Sequence, residues 1–430
     1  MKTISKKTAI VFLSIGILSI IQSCKKELSP PDLFTFQISE IKQTSAVSRS
    51  VVQDDGGAEV FTRGVCWSTS PNPTTSSGKT VDRGGTGLYL SLIEGLTANT
   101  TYYVRAYAIN SEGTNYGNEL TFTTIAPVSG IRKSDIPGGT INIPTGFSIG
   151  NKFYVVMGPG DDPGDFLEWD QSTDIWTKKA DYPGNSGSGA VGFSIGNRGY
   201  IGTGLTITGQ PTNEFWEYDP VINKWTEKAS LPFSTASSSA VGFSIGNKGY
   251  IGTGYLNNDN YNSNDFWEYD PVADNWTKKA SLPGAGRGDA VGFSIGNKGY
   301  IGTGVFWSPV TMSYLRDFWE WDQETDIWTR KADFGGLSRK GAVGFSIGSK
   351  GYIGTGYTLD ENGSYSYSRD FWEWDQGTNK WKRKADLEGN PRAWSIGVSI
   401  GDRGYIGAGI IDDGDWGQII NDFWEYDPDL

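Results

Sequence analysis

The chain of 430 residues has no histidine, only two cysteines and three methionines, and a net charge of −12. Without histidine it can build no Ser-His-Asp triad, no imidazole acid–base pair and no histidine-bound zinc or copper. The acidic balance excludes a nucleic-acid binder, which needs a concentrated basic surface. No cofactor and no metal site is expected. Long apolar runs are scarce too. The one at residues 9–21 follows Lys2, Lys6 and Lys7. At about 1.5 Å per residue it reaches roughly 20 Å, short of the ~30 Å hydrocarbon core, so it reads as a signal peptide over residues 1–23 rather than a span.

That leader ends Ile21-Gln22-Ser23-Cys24, which resembles the bacterial lipoprotein signal. The resemblance implies that Cys24 carries lipid and that residues 24–32 are a tether. It also implies a place in the cell envelope, on the outer membrane, either periplasmic or surface-exposed. Cys66 is then alone, and no internal disulfide is possible. It sits in the strand-like run Gly64-Val65-Cys66-Trp67 and reads as a small core residue rather than a reactive thiol.

Aromatic residues make up 13% of the chain, and a repeat explains them. Gly-Phe-Ser-Ile-Gly recurs with its phenylalanine at Phe147, Phe193, Phe243, Phe293 and Phe345, and with Val398 in that place the sixth time. Each copy continues with a run like Tyr250 to Gly254, a variable loop, a run like Asp265 to Asp270, and a run like Trp276 to Ala280. The aspartate ending the third run precedes a tryptophan by six residues in Asp170/Trp176, Asp219/Trp225, Asp270/Trp276, Asp322/Trp328 and Asp375/Trp381. Four short aromatic and β-branched runs separated by Gly, Asn, Asp and Pro predict four antiparallel strands per copy. Such a unit has two apolar faces and cannot stand alone; stacked radially, the units bury both faces.

The pattern resembles the Kelch repeat over residues 129–430, with the family's double glycine present as Gly252-Thr253-Gly254 and its Tyr…Trp pair as Tyr269 and Trp276. The resemblance implies an all-β fold: a six-bladed Kelch-type β-propeller. Residues 129–138 lie over residues 275–284, with Arg132-Lys133 on Lys278-Lys279 and Ile136-Pro137-Gly138 on Leu282-Pro283-Gly284. Residues 129–137 are therefore expected to supply the outer strand of blade six. Galactose oxidase also carries Kelch repeats, but its copper site uses histidines, which this chain lacks.

Residues 33–125 predict a small sandwich. Leu96, Thr100 and Tyr102 fall where a fibronectin type III domain has its tyrosine corner, with Ala98 in place of the proline. The resemblance implies an Ig/fibronectin III-like β-sandwich acting as a spacer. Alternation places Tyr102, Val104, Ala106 and Ala108 inward, and Tyr103, Arg105 and Tyr107 outward.

Groups present in every repeat read as scaffold. The six glutamates Glu168, Glu217, Glu268, Glu320, Glu373 and Glu425 are expected to form cross-strand charge pairs. Function is sought where repeats differ. The loops between second and third strands run 6, 9, 10, 12, 13 and 12 residues. The last three carry Phe306, Trp307, Tyr314, Tyr365, Tyr367 and Trp416, and the connections on the same face add Arg287, Arg339 and Arg392 with Asp289, Lys340 and Trp394. Aromatic platforms beside charged groups suit sugar rings and suit a protein partner equally. The expected ligand-binding residues are Arg287, Trp307, Tyr314, Arg339, Tyr365, Arg392, Trp394 and Trp416. The alternative is that the arginines are structural and the aromatics are loop packing. A binding platform is favoured over an enzyme. The rival resemblance is to Kelch-type sialic acid mutarotases, for which Asp289 is the nearest candidate carboxylate. Asp161-Asp162, Asp360-Glu361 and Asp412 to Asp415 read as solvated turns.

Overall fold

A computed structural model describes residues 27–138, 143–157, 165–185, 188–206, 208–232, 237–256, 261–360, 362–412 and 417–428. Among them there is no helix; every regular element is a strand. The chain divides into two compact units between Ala126 and Pro127.

In the first unit, Asp32–Ser39, Ser45–Asp54 and Gly87–Glu94 form one antiparallel sheet, and Thr62–Ser68 and Thr101–Asn110 centre a second. The inward alternation of Tyr102, Val104, Ala106 and Ala108 is observed: all four are buried. The Tyr102 hydroxyl accepts the Thr97 backbone N–H at 3.0 Å, fixing the turn before its own strand. Tyr107 departs from the expected pattern and is buried. Its cross-strand partner is Gly64, which has no side chain to hold the ring off, and the Tyr107 hydroxyl donates to the Thr80 carbonyl at 2.6 Å. Cys66 is fully buried, and burial pushes its thiol up to about 11 despite nearby Arg105. It is a packing residue.

In the second unit each repeat folds as a four-stranded antiparallel sheet. Val241–Ile245 pairs with Lys248–Gly252, that strand with Phe266–Asp270, and that with Asn275–Lys279. The sixth repeat supplies Ile396–Ile400, Arg403–Ile411 and Gln418–Tyr426, and its fourth strand is Ile131–Lys133. The register is Ile131 with Glu425 and Lys133 with Phe423. Just before it, Val128–Ser129 runs parallel to Asp386–Leu387.

First strands of successive repeats lie side by side, from Thr145–Ile149 through Val191–Ile195, Val291–Ile295 and Val343–Ile347, and Ile396–Ile400 lies against Thr145–Ile149. They line an axial cavity of about 160 Å³. The close approach needs glycine: a Cβ on Gly199 would stand 1.9 Å from the Phe147 ring of the preceding repeat, and Gly249, Gly299, Gly351 and Gly404 meet Phe193, Phe243, Phe293 and Phe345 in the same way.

Between sheets the core is aromatic. Phe266 meets Trp321 and Trp328 of the next repeat edge-on, with centroids 5.0 and 5.2 Å apart, geometry worth about 0.5–1.5 kcal/mol per pair beyond area burial. Apolar clusters join consecutive repeats, and one joins the last repeat to the first through Ile136, Phe153, Trp169, Tyr405 and Phe423.

The recurrent glutamates are cross-strand ion pairs. Glu217, Glu268, Glu320 and Glu373 face Lys228, Lys279, Lys331 and Lys384 at 3.4–4.0 Å. In the sixth repeat the lysine is Lys133, 2.7 Å from Glu425. Each of these glutamates also accepts a tyrosine hydroxyl from the second strand, as Glu268 does from Tyr250 at 2.8 Å.

Candidate functional site

The second-to-third-strand loops of later repeats are built as small β-ribbons. Tyr255–Leu256 pairs with Tyr261–Asn262, Val305–Ser308 with Thr311–Tyr314, and Tyr357–Leu359 with Tyr365–Tyr367. Each ribbon is stitched to the segment entering its own repeat: Ser237–Ser238 with Tyr255–Leu256, Gly288 with Val305, and Arg339–Lys340 with Tyr357–Leu359.

At the axial end of these segments, the residue two before the start of each first strand has left-handed backbone: Ile143, Gly189, Ser239, Asp289, Gly341 and Trp394, with φ between 51 and 63°. Left-handed φ costs a bulky side chain roughly 1–2 kcal/mol. A relay of backbone hydrogen bonds opposes that cost, with the Ser239, Asp289, Gly341 and Trp394 N–H groups donating to the carbonyls of Gly189, Ser239, Asp289 and Gly341 at 2.7–3.1 Å. Glycine is required at 341 for a second reason: a Cβ there would come within 2.9 Å of the Trp394 indole nitrogen.

On this rim the aromatic residues meet. Tyr357 stacks on Tyr365 with centroids 5.6 Å apart and planes 9° apart, and on Trp394 at 6.2 Å. Tyr314 packs edge-on to Tyr365 at 5.7 Å, and Tyr367 edge-on to Tyr357 at 5.0 Å. Lys340 holds its ammonium 5.3 Å above the Trp394 ring and 5.6 Å above that of Tyr314; among the described residues it has no carboxylate partner. Tyr365 remains 46% exposed, and presents the outer surface of the cluster. Beneath, the Asp289 carboxylate accepts the Tyr255 hydroxyl at 2.8 Å and the Trp394 indole N–H at 3.2 Å. Burial, then Asp289, raises the Tyr255 hydroxyl well above the usual tyrosine range; burial and neighbouring Tyr365 and Tyr357 raise Tyr314.

Of the eight expected contact residues, Tyr314, Tyr365 and Trp394 come together here. Trp307 sits opposite Met312 in its ribbon and makes none of these ring contacts. Trp416 lies outside the described residues, as do Cys24, Asp161, Asp162, Glu361, Asp413 and Asp415.

The arginines require correction as surface contacts. Arg287, Arg339 and Arg392 are 0–1% exposed. Each makes a two-pronged pair with the aspartate entering the third strand of its repeat: Arg287 with Asp317 at 2.7 and 2.7 Å, Arg339 with Asp370 at 2.5 and 2.9 Å, and Arg392 with Asp422 at 2.5 and 2.8 Å. Each guanidinium also donates to the carbonyl of Thr303, Thr355 or Ala408 and to one two residues back, while Trp319, Trp372 or Trp424 donates to the aspartate. Four of the five N–H donors of each guanidinium are engaged within the protein and the side chain is buried, so these arginines brace the loops internally and do not face solvent.

The sequence reading missed Tyr357 and Tyr255. Their signal was positional: each opens its loop directly after Gly-Thr-Gly. A search confined to the longest loops passes over Tyr255, whereas Tyr357 opens the thirteen-residue loop itself, beside the Tyr365 and Tyr367 that were singled out.

Comparison with protein-family models and with curated proteins returns no match. Among solved structures, that of YjhT is similar, with 18% sequence identity, a TM-score of 0.57, and coverage of 68% of this chain and 96% of that chain. At that identity the likeness carries the fold alone, and it supports a Kelch-like β-propeller type of fold.

Proposed function

We propose that residues 129–430 form a six-bladed Kelch-type propeller closed by residues 129–137, and that this propeller is a saccharide-binding platform on a lipid-anchored envelope protein. The closure reading is supported by the pairing of Ile131–Lys133 with the last strand and by the mixed core of the first and last repeats. In this reading the lipid on Cys24 attaches the chain to the outer membrane, and residues 33–125, a fibronectin III-like sandwich, separate it from the propeller.

One observation carries the ligand assignment: a contiguous set of rings, Tyr314, Tyr357, Tyr365 and Trp394, with an uncommitted ammonium at its edge. The exposed surface of Tyr365 offers a C–H-accepting face to a pyranose ring, and Lys340 offers a donor to hydroxyls or a carboxylate at the ring's margin. The mutarotase alternative finds no support in Asp289. Its two oxygens each accept one hydrogen bond, from Tyr255 and from Trp394, contacts that suit a carboxylate bracing the rim.

The test is a glycan array probed with residues 25–430, then with Tyr365→Ala and Lys340→Ala. A glycan retained by the intact protein and weakened about tenfold by either change is expected. A folded protein that retains no glycan overturns the reading; crosslinking on intact cells then asks whether a protein occupies the shelf.

A further inference from the structure

The three-stranded sheet of the first unit is apolar on both faces: Leu33, Ala46, Val52, Tyr89 and Ile93 are buried on the inner one. An antiparallel sheet over a core normally turns its large apolar residues inward and polar ones to water. Here Thr35, Ser48, Ser50 and Ser91 face the core, each 0% exposed. Their hydroxyls are satisfied locally: Thr35 donates to the Asn118 carbonyl at 2.8 Å, Ser91 to Asp82 at 2.5 Å, and Ser48 bonds Ser50 at 3.2 Å.

The outer face carries large apolar residues as well. Phe34, Phe36, Leu88, Leu90 and Leu92 are 41–67% exposed. Register sets Phe34 beside Val51 and Val51 beside Leu88, while Val47 neighbours Leu92. Two residues apart in the strand, Phe34 and Phe36 share this side by ordinary alternation, and their ring centroids lie 5.3 Å apart. Among these residues stands one exposed cation, Arg49, next to Leu90 and without an ion-pair partner among the described residues.

We propose that this face is a membrane-contact surface, lying in the headgroup and upper acyl region of a phospholipid bilayer. Three features select a bilayer over a protein. The strand Asp32–Ser39 that carries both phenylalanines follows directly on the segment after Cys24; ten residues separate Cys24 from Phe34, a reach of at most about 35 Å. A sheet face tethered this close to a lipid anchor meets the bilayer at a high effective concentration. Arg49 amid leucines suits a lipid phosphate, which takes a guanidinium in a two-pronged bond. A second copy of this chain docked across the same face would instead press each Arg49 onto apolar residues or its own equivalent.

The proposal takes only the position of the membrane from the lipid-anchor reading, and its test removes the lipid. Residues 25–430, unlipidated, are floated with vesicles of phosphatidylethanolamine and phosphatidylglycerol, beside the variant Leu88→Ser/Leu90→Ser/Leu92→Ser. The intact protein is expected to float, the variant about tenfold less or worse with an unchanged melting temperature, and Arg49→Gln less only on vesicles containing phosphatidylglycerol. Phe36→Cys bearing a polarity-sensitive fluorophore should shift to the blue on the vesicles. Intact protein left in the dense fraction overturns the proposal, as does a floating triple variant or an unshifted fluorophore. A dimer in sedimentation equilibrium that the triple variant dissolves assigns the face to a second copy instead. Labelling of Cys24 with radioactive fatty acid in cells, lost in Cys24→Ala, reports separately on the anchor.

Discussion

Phe153 and Val398 have exchanged size relative to their counterparts. Phe153 occupies the second-strand position held by Gly199, Gly249, Gly299, Gly351 and Gly404, and Val398 occupies the first-strand position held by phenylalanine in the other five repeats. Val398 packs against the cluster that contains Phe153. Elsewhere a phenylalanine fills the space left by its neighbour's missing side chain; here the filling ring comes from the neighbour.

Phe153→Gly should therefore open a cavity and cost about 3–5 kcal/mol, and Val398→Phe should overpack by about 1–3 kcal/mol. The double variant rebuilds the arrangement of the other five interfaces and should recover much of both losses. A double-mutant cycle by chemical denaturation measures the coupling. Strict additivity would show that the two positions do not share a space.

The arginine clamps make a second prediction. Arg339→Met leaves Asp370 charged without its counter-ion, with only Ser368 and Trp372 donating to it, which costs about 3–5 kcal/mol. Arg339→Met with Asp370→Leu removes both charges, and should restore most of that loss. Thermal or denaturant unfolding of the single and double variants distinguishes this from a ligand-binding arginine, whose loss would leave stability alone.

Acid should find the same clamps. Burial pushes the Asp370 carboxyl up, but Arg339, Ser368 and Trp372 outweigh it and hold the group down to about 2. Asp317 and Asp422 are likewise lowered, with burial opposed by Arg287 and Arg392. A carboxyl depressed in the fold contributes stability above its unfolded value near 3.8, and that contribution is lost as pH falls toward about 2. The melting temperature should drop steeply between about pH 4 and pH 2. The Arg339→Met/Asp370→Leu variant should fall less steeply; an identical slope would remove the clamp from the account.

Alkali acts on the tyrosine ladder. Burial first, and then the paired glutamate, raise the Tyr154, Tyr200, Tyr250, Tyr300 and Tyr405 hydroxyls above the ordinary value of 10.0. Their neutral forms stabilise the fold fully below that value, and the contribution is lost as pH rises beyond it. Phenolate absorbance from these five should appear only together with loss of near-ultraviolet circular dichroism. Their ionisation in a protein that keeps its near-ultraviolet signal would contradict the buried ladder.

Periodicity made much of the fold legible from the sequence. Four strands per repeat, the cross-strand glutamates and the match of Ile136 to Leu282 all follow from local composition and spacing, because strand formation and alternate burial depend on near neighbours. The same logic placed Tyr102, Val104, Ala106 and Ala108 inside their sheet. It also exposed the aromatic rim in outline, since Tyr314, Tyr365 and Trp394 stand out from the repeat. Only the tertiary structure decided what each departure from the repeat means. Three arginines present in half of the repeats look like a site when position alone is compared, yet 30 or 31 residues further on each finds an aspartate that grips it with both oxygens. Tyr357 looks ordinary in its loop and becomes the hub of the rim, because ribbons from two repeats converge on it. The outward leucines of Gly87–Glu94 alternate as any strand would, and a one-residue choice of face, set by pairing with Ser45–Asp54, turns them to the outside. Spacing along the chain fixes which elements form; which face is buried, and which charge is already paired, depend on residues far away in sequence.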